Sequence, residues 1–204
     1  MRRARKVGVP LPDDAINLFE AYFRVLSQWN VKINLTALPL KAPTDATFDR
    51  LFIEPLAAAT LIPDAPGRWF DFGSGGGSPA LPLKIVRPAL SLTLVESKVR
   101  KAAFLREVVR GLKLPGTDVA NVRFEQLPTP APQADFVTAR AVRPDAALFG
   151  VAARLLRAGG QLLLFGHPGH MTNAFFDRVS LPQASLADKV VVSYSRVFHV
   201  EQND

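Results

Sequence analysis

Residues 70–79 read FDFGSGGGSP, with Gly73, Gly75, Gly76 and Gly77 between an apolar run and a proline. Glycine tolerates positive φ and lets another molecule approach the backbone, but it costs entropy on folding. So many in one turn point to a ligand or to a very tight turn. RWFDFG before it reads as a strand. Pro79 after it suits the first position of a helix, where its missing N–H is no loss. Pro82, three residues on, still falls among the first N–H groups, which have no intrahelical partner, so a helix from 79 to about 87 is predicted.

Outward from this turn, short apolar runs alternate with helical patterns. SLTLVE is a second strand, and Lys98–Lys113 a helix with Ala102, Leu105, Val109 and Leu112 on one face. VANVRF is a third strand, ADFVTAR a fourth and QLLLFG a fifth. Pro144–Leu156 is a helix that Gly159–Gly160 should end. Residues 188–200 are expected to close the sheet with a pair of strands. Upstream, Pro12, Asp13 and Asp14 open a helix carrying Ile16, Phe19, Phe23, Leu26 and Trp29 at helical spacing, read as core packing. Phe48–Leu61 is a second helix, ended by Ile62–Pro63. Strand–helix alternation predicts a Rossmann-like α/β fold, a mostly parallel sheet flanked by helices, with ligands beyond the carboxyl ends of the strands. The loops after Phe72, Val95, Phe124 and Ala139 therefore carry the expected site. One domain is expected: an N-terminal arm and helical extension over 1–66, and a cofactor-binding core over 67–204.

Composition narrows the function. The chain has 204 residues, 48% hydrophobic, with no cysteine. Disulfides, cysteine nucleophiles and cysteine zinc sites are excluded. Mean hydropathy is +0.12, and no apolar run is long enough for a membrane span. MRRARKVGVPLPDD is basic without an apolar segment, unlike a secretory signal. A cytoplasmic monomer without membrane or metal partners is expected. His167 and His170 share one loop, too few for a metal site on their own. Net charge is +7, which favours a polyanion such as nucleic acid. Eight basic residues (Lys84, Arg87, Lys98, Arg100, Lys101, Arg106, Arg110, Lys113) face two acids between 84 and 113. A solvated helix face and an RNA-binding surface both explain them.

Two cofactor classes use a glycine turn after the first strand. The dinucleotide form, G-x-G-x-x-G/A, requires a small residue where Ser78 stands. The form acidic-x-G-x-G-x-G is matched in full by Asp71, Gly73, Gly75 and Gly77; it is the first motif of S-adenosylmethionine-dependent methyltransferases. That cofactor has no pyrophosphate and requires an open backbone passage and a carboxylate near its cationic groups. Glu96, 23 residues after Gly73, ends strand two and suits the ribose hydroxyls in either class; it equally suits a helix N-terminal acid. Glu125, after strand three, can face the adenine or simply occupy an exposed turn.

The acceptor is narrowed by what is missing. No cysteine serves cytosine C5 transfer. TARAVRPD lacks the [N/D]-P-P-[Y/F] motif of amino-group methylation. A ring nitrogen with a free lone pair, such as guanine N7, requires no base, only alignment of donor and acceptor.

At this point the chain resembles the bacterial 16S ribosomal RNA guanine-N7 methyltransferases, the glucose-inhibited division protein B family. SQWNVKINLTAL is similar to the family's W-N-x-x-x-N-L-T segment, giving Trp29, Asn30, Asn34, Leu35 and Thr36. FDFGSGGGSPALPLKIVRP resembles its cofactor motif, TLVESKVRKAAFLREVVRGLKL its D-S-x-x-K-R-x-x-F-L helix, NVRFEQLP its R-x-E-E turn and TARAV its S/T-R-A segment. The resemblance implies S-adenosylmethionine contacts at Gly73, Ser78, Phe124, Glu125 and Arg140. It implies Asn34 and Arg140 near the target guanine, and Lys98, Arg100 and Lys101 on the RNA-facing surface of a small-subunit rRNA substrate. Arg140 is equally explained by a salt bridge to Asp145.

The chain departs from the pattern in places. FDRLFIEPL has Leu51, Glu54 and Pro55 where the family's R-H-x-x-D-S has His, Asp and Ser. Phe165 replaces the lysine of L-K-G, Ala80 replaces a glycine, and SYSRVFHV leaves only Arg196 for a late G-x-x-R segment. Most of these departures fall on the acceptor side. They leave open a ribosome-associated cofactor-binding protein without turnover, or a methyltransferase with a different acceptor.

Overall fold

The computed structural model describes residues 11–128, 133–165, 177–178 and 190–194. A seven-stranded sheet runs in the order β3-β2-β1-β4-β5-β7-β6. The strands are β1 (Gly67–Phe72), β2 (Leu90–Val95), β3 (Thr117–Ala120), β4 (Ala134–Arg140), β5 (Leu156–Phe165), β6 (Asp177–Arg178) and β7 (Val190–Tyr194). All paired neighbours are parallel except β6 and β7. The chain moves outward from β1 through β2 to β3, then crosses back to place β4 on the other side of β1. That reversal opens a crevice at the carboxyl ends of β1 and β4, where such sheets bind ligands.

The period-two alternation of each strand splits the core in two. Trp69, Leu92, Leu94, Phe136, Leu163 and Phe165 face one layer of helices. Phe70, Phe72, Val95, Val137, Ala139, Leu162 and Leu164 face the other. On the first face pack α1 (Ala15–Asn30), α3 (Glu54–Ala58), α4 (Ala80–Val86) and α5 (Val99–Gly111). The second face is covered by α6 (Ala146–Leu155), whose N-terminal amides at Ala147 and Leu148 donate to Asp145 Oδ1, the usual role of an N-cap acid.

Several elements differ from the sequence reading. The helix expected at 48–61 begins earlier: α2 (Asp45–Phe48), capped by Thr44, runs through a π-turn at Asp49–Ile53 into α3 and a final 3₁₀ turn at Ala59–Leu61. The third strand starts directly after Gly116, whose carbonyl accepts from Leu92 N–H, and ends at Ala120; Phe124 lies beyond it in a 3₁₀ turn, Phe124–Gln126. Gly159 and Gly160 do not end the helix. The chain is already extended at Leu156, and the glycines lie in a bulge of β5, where the register against β4 shifts between Ala134 and Phe136. A Cβ at Gly160 would meet the Ala134 carbonyl at 3.0 Å, so strand pairing overrides the helix-stop signal there. On α5 the buried residues are Ala102, Phe104, Leu105 and Val108, with Val109 half-buried. Within 188–200 the described strand is β7 alone, and its antiparallel neighbour is Asp177–Arg178.

Two of the eight basic residues are structural. Lys84 Nζ donates to the Pro88 and Leu90 carbonyls. Arg87 donates to Ala59, Ile62 and Val86 carbonyls. Both tie α4 to neighbouring loops, so neither belongs to a solvent-facing basic patch.

The segment after α1 folds back over the sheet. The Asn30 side chain accepts from Leu35 N–H (2.9 Å) and Thr36 N–H (3.0 Å) and donates to the Thr36 carbonyl (3.1 Å). An Asn→Ala change strands these groups at a cost of about 2 kcal/mol, or roughly 4–8 °C in a chain of this size. Asn30→Ala is therefore expected to lower the Tm by that amount and to accelerate hydrogen exchange at the Leu35 and Thr36 amides; unchanged exchange there would contradict the clamp.

Candidate active site

The glycine turn is built by backbone pairing. Gly73 and Ser74 N–H both donate to the Val95 carbonyl, at 2.9 and 3.1 Å, which fastens the turn to the end of β2. Gly73, Gly75 and Gly77 have φ of +66°, +50° and +89°, a region side chains rarely adopt. A Cβ at Gly73 would also meet Val142 at 2.7 Å. At Gly75 a Cβ would meet only the Gly73 carbonyl, at 3.6 Å, an ordinary van der Waals contact, and Gly75 lines the cavity beside the turn. Gly76 has no positive φ; its glycine is required by close packing, because a Cβ would meet the Leu35 carbonyl at 3.3 Å and Leu26 at 3.5 Å. The Tyr22 hydroxyl donates to the Gly76 carbonyl at 2.6 Å.

Beside the turn lies a cavity of about 530 Å³, within the size range of small-molecule sites. One wall is the glycine turn with Glu96; the others are the Leu35–Leu38 loop, Arg50 and Leu51, and Arg140 with Ser78 and Lys101. Glu96 is 6% exposed. Its Oε2 accepts from Gly75 N–H (2.9 Å) and its Oε1 from Lys98 N–H (2.8 Å). A carboxylate has about four acceptor sites, so two remain for a ligand diol. Glu96 thus takes the amide of Lys98, the residue before α5, and lines the cavity.

Arg140 is the most heavily tied side chain. Its Nη1 donates to the Arg50 carbonyl (2.7 Å) and to Ser78 Oγ (3.0 Å), and its Nη2 to Glu54 Oε2 (2.7 Å). Its guanidinium sits 4.9 Å from the centre of the Phe165 ring, in cation–π range. Nε is buried without a hydrogen-bond partner among the described residues. The acid that pairs with Arg140 is Glu54, 2% exposed and shared with Arg50, not Asp145, which caps α6. Burial pushes the Glu54 carboxyl up, and Arg140 and Arg50 oppose it. Burial pulls Arg140 down to about 10, still charged at neutral pH.

Other predicted residues lie elsewhere. Asp71 does not line the cavity but is buried beneath the turn, where its Oδ1 accepts from Thr138 Oγ1 at 2.5 Å. Thr138 in turn accepts from Trp69 Nε1 at 2.9 Å. Phe124 stacks on Phe72 at 4.9 Å, away from the cavity lining, and Glu125 is exposed. Asn34 is exposed on the loop whose neighbours Leu35 and Thr36 line the cavity. Lys98 and Arg100 face solvent, whereas Lys101 is half-buried and lines the cavity. Sequence reasoning missed Tyr22, Arg50 and Leu51 as parts of the site; Tyr22 sits on the packed stripe of α1, and nothing in the local pattern separates it from the core. His167, His170, His199 and Arg196 lie outside the described residues.

A parallel sheet reversing at β1, with a glycine turn and an acid at the end of β2 around one cavity, defines a Rossmann-like α/β fold of the methyltransferase kind. The rRNA small subunit methyltransferase G (GidB) family profile matches residues 15–172. A ribosomal RNA small subunit methyltransferase G of Roseiflexus sp. is 39% identical over 166 residues, 80% of this chain and 70% of its own length. That of Xanthomonas euvesicatoria is 42% identical over 145 residues (70% and 64%), and that of Chloroflexus aggregans 40% over 159 (76% and 66%). A solved putative S-adenosylmethionine-dependent methyltransferase from Methanococcus maripaludis aligns at 19% identity and TM-score 0.48 over 55% of this chain and 54% of its own. The chain belongs to the rRNA small subunit methyltransferase G family.

Burial raises the Asp71 carboxyl to about 6, against hydrogen bonds from Thr138 and Ser74 that pull it down. The folded carboxyl therefore keeps its proton to higher pH than the unfolded one. Asp71 supports the fold fully below about pH 4 and withdraws that support as pH rises through 6, by about 3 kcal/mol from roughly two pH units. Asp71→Asn, which keeps the acceptor for Thr138, is expected to flatten this fall in urea-unfolding free energy between pH 4 and 7. A variant profile parallel to the unsubstituted protein's would refute it.

Proposed function

We propose that the chain transfers a methyl group from S-adenosylmethionine to N7 of one guanine in small-subunit ribosomal RNA. The observation that carries this reading is the cavity shared by the glycine turn, Glu96 and Arg140, in a chain of this family. The cavity suits the cofactor in three respects: Gly75, without a side chain, lines the cavity and lets a ligand lie against the backbone, Glu96 keeps acceptor sites for a ribose, and Arg140 holds a fixed cation at the wall. By the family resemblance, Ser78, Phe124 and Glu125 complete the cofactor contacts and Asn34 joins Arg140 toward the base; Asp71 holds the turn from below.

S-adenosylmethionine, held by the glycine turn and Glu96, would supply a methyl group on a sulfonium, the N7–carbon bond forming as the carbon–sulfur bond breaks and sulfur keeping the electron pair. Guanine N7 offers its lone pair without losing a proton, so the protein is asked for alignment rather than for a base, and alignment alone is worth many powers of ten in rate. The Leu35–Leu38 loop and Arg140 bound the opening through which a base enters. The exposed side chains of Lys98 and Arg100 at the start of α5, with Lys101 lining the cavity, suit phosphate contacts that position RNA without reading its sequence. This activity belongs to a cytoplasmic monomer.

Radiolabelled methyl transfer to unmodified small subunits, mapped by chain cleavage at N7-methylguanine, is expected to label one guanine. Cofactor binding without label would favour the reading without turnover. Gly75→Val places a branched side chain at φ +50° in the open passage, and is expected to weaken S-adenosylhomocysteine binding at least 100-fold while leaving the circular dichroism spectrum intact. Unchanged affinity would place the cofactor elsewhere.

A further inference from the structure

We infer that Glu54 is a positioning residue for Arg140: its buried carboxylate, opposed by the Phe165 ring, fixes the guanidinium at the cavity wall in the orientation that serves the ligand. The inference rests on the proposed methyltransferase reading of the cavity.

Four contacts define the placement. Glu54 Oε2 takes Arg140 Nη2 at 2.7 Å, the Arg50 carbonyl and Ser78 Oγ take Nη1, and the aromatic ring covers one face at 4.9 Å. Of the hydrogen-bonding partners, Glu54 alone is charged, and a charge-assisted bond is about twice as strong as a neutral one. It is also the partner most remote from the cavity, since it is 2% exposed and absent from the lining, while Arg50, Ser78 and Arg140 all border it. A ligand therefore never meets Glu54, yet Glu54 governs which edge of Arg140 the ligand meets. With Nη1 and Nη2 engaged, the Nε edge is left as the buried donor without a partner among the described residues. Arg50 reaches the same carboxylate at 3.2 Å, so Glu54 also keeps two neighbouring cations from repelling one another.

The geometry predicts a coupling that simple stabilisation does not. If Glu54 acts through Arg140, its loss matters to the ligand only while Arg140 is present. Affinity for S-adenosylhomocysteine would be measured by calorimetry in the full chain, for the unsubstituted protein, Glu54→Gln, Arg140→Ala and the double variant, each normalised to its folded fraction. Glu54→Gln is expected to weaken binding about 10-fold, and the double variant to bind no worse than Arg140→Ala, the non-additivity of two residues in one network. Glu54→Asp keeps the charge but shortens the side chain, and is expected to lose about threefold in affinity, less than Glu54→Gln; where Glu54→Gln does not fold, Glu54→Asp takes its place in the cycle, and unchanged affinity, or a loss that persists alongside Arg140→Ala, overturns the inference. Additive losses, or unchanged affinity in a folded Glu54→Gln, would overturn it as well. An unsubstituted protein that binds no S-adenosylhomocysteine overturns both this inference and the cofactor reading, so the two failures are told apart by the first titration.

Discussion

The site depends on a turn pinned from two sides. From the sheet, the Val95 carbonyl accepts from Gly73 and Ser74 N–H; from the helical layer, Tyr22 donates to the Gly76 carbonyl and the Leu35 carbonyl packs where a Gly76 side chain would stand. Neither half alone fixes the turn. Left-handed glycine backbone is entropically costly to hold, and here the cost is met by contacts from segments some 20 to 50 residues away in sequence. The N-terminal helix is therefore part of the construction of the turn that walls the cavity. Trp29 Nε1 bonding to Glu107 across to α5 extends the same tie.

Beneath and beside the turn, polar groups are buried in short chains, each fully directional. Trp69 donates to Thr138 and Thr138 to Asp71, joining β1 to β4 under the crevice. Arg50 and Arg140 converge on Glu54, joining the π-turn to the end of β4. Glu96 receives the Gly75 and Lys98 amides, joining the turn to α5. Buried networks of this sort, satisfied here among the described residues except at Arg140 Nε, specify one arrangement rather than merely adding stability. All three converge on the carboxyl ends of β1, β2 and β4, so rigidity is concentrated where the sheet topology opens a ligand site.

Much of this was legible in the sequence because it is local. The β1 strand, the glycine turn, the helix permitted by Pro79 and the β4 strand ADFVTAR follow from period-two alternation and from proline and glycine chemistry. What failed was non-local. Gly159–Gly160 read as a helix stop, but pairing of Leu156 with Ala134 had already drawn the chain into β5. The run VANVRF has strand composition, but its neighbour β2 offers partners only as far as Val95, which pairs with Ala120. Charge was the least legible property. Lys84 and Arg87 count toward a basic patch in any sequence window, yet both spend their donors on buried carbonyls. Asp71 matches the motif, yet its carboxylate answers to Thr138 instead of the cavity.

The departures from the family pattern take on a different meaning in three dimensions. Residues 51, 54 and 165 are far apart in sequence and read there as scattered losses. In space two of them meet at one guanidinium: Glu54 pairs with Arg140 and Phe165 covers its face, while residue 51 contributes only its backbone carbonyl, which accepts from Ser78 Oγ, itself an acceptor from Arg140. A lysine at 165, as in the family pattern, would bring a third cation toward a carboxylate already shared by Arg50 and Arg140. A ring offers instead the negative face of its quadrupole and requires no counter-ion. With an apolar residue at 51 and an aromatic one at 165, the only buried negative charge facing Arg140 at hydrogen-bond distance is Glu54, among the described residues. Glu54 and Phe165 thus form one consistent electrostatic arrangement around Arg140, and any reading of the acceptor side has to treat the two together.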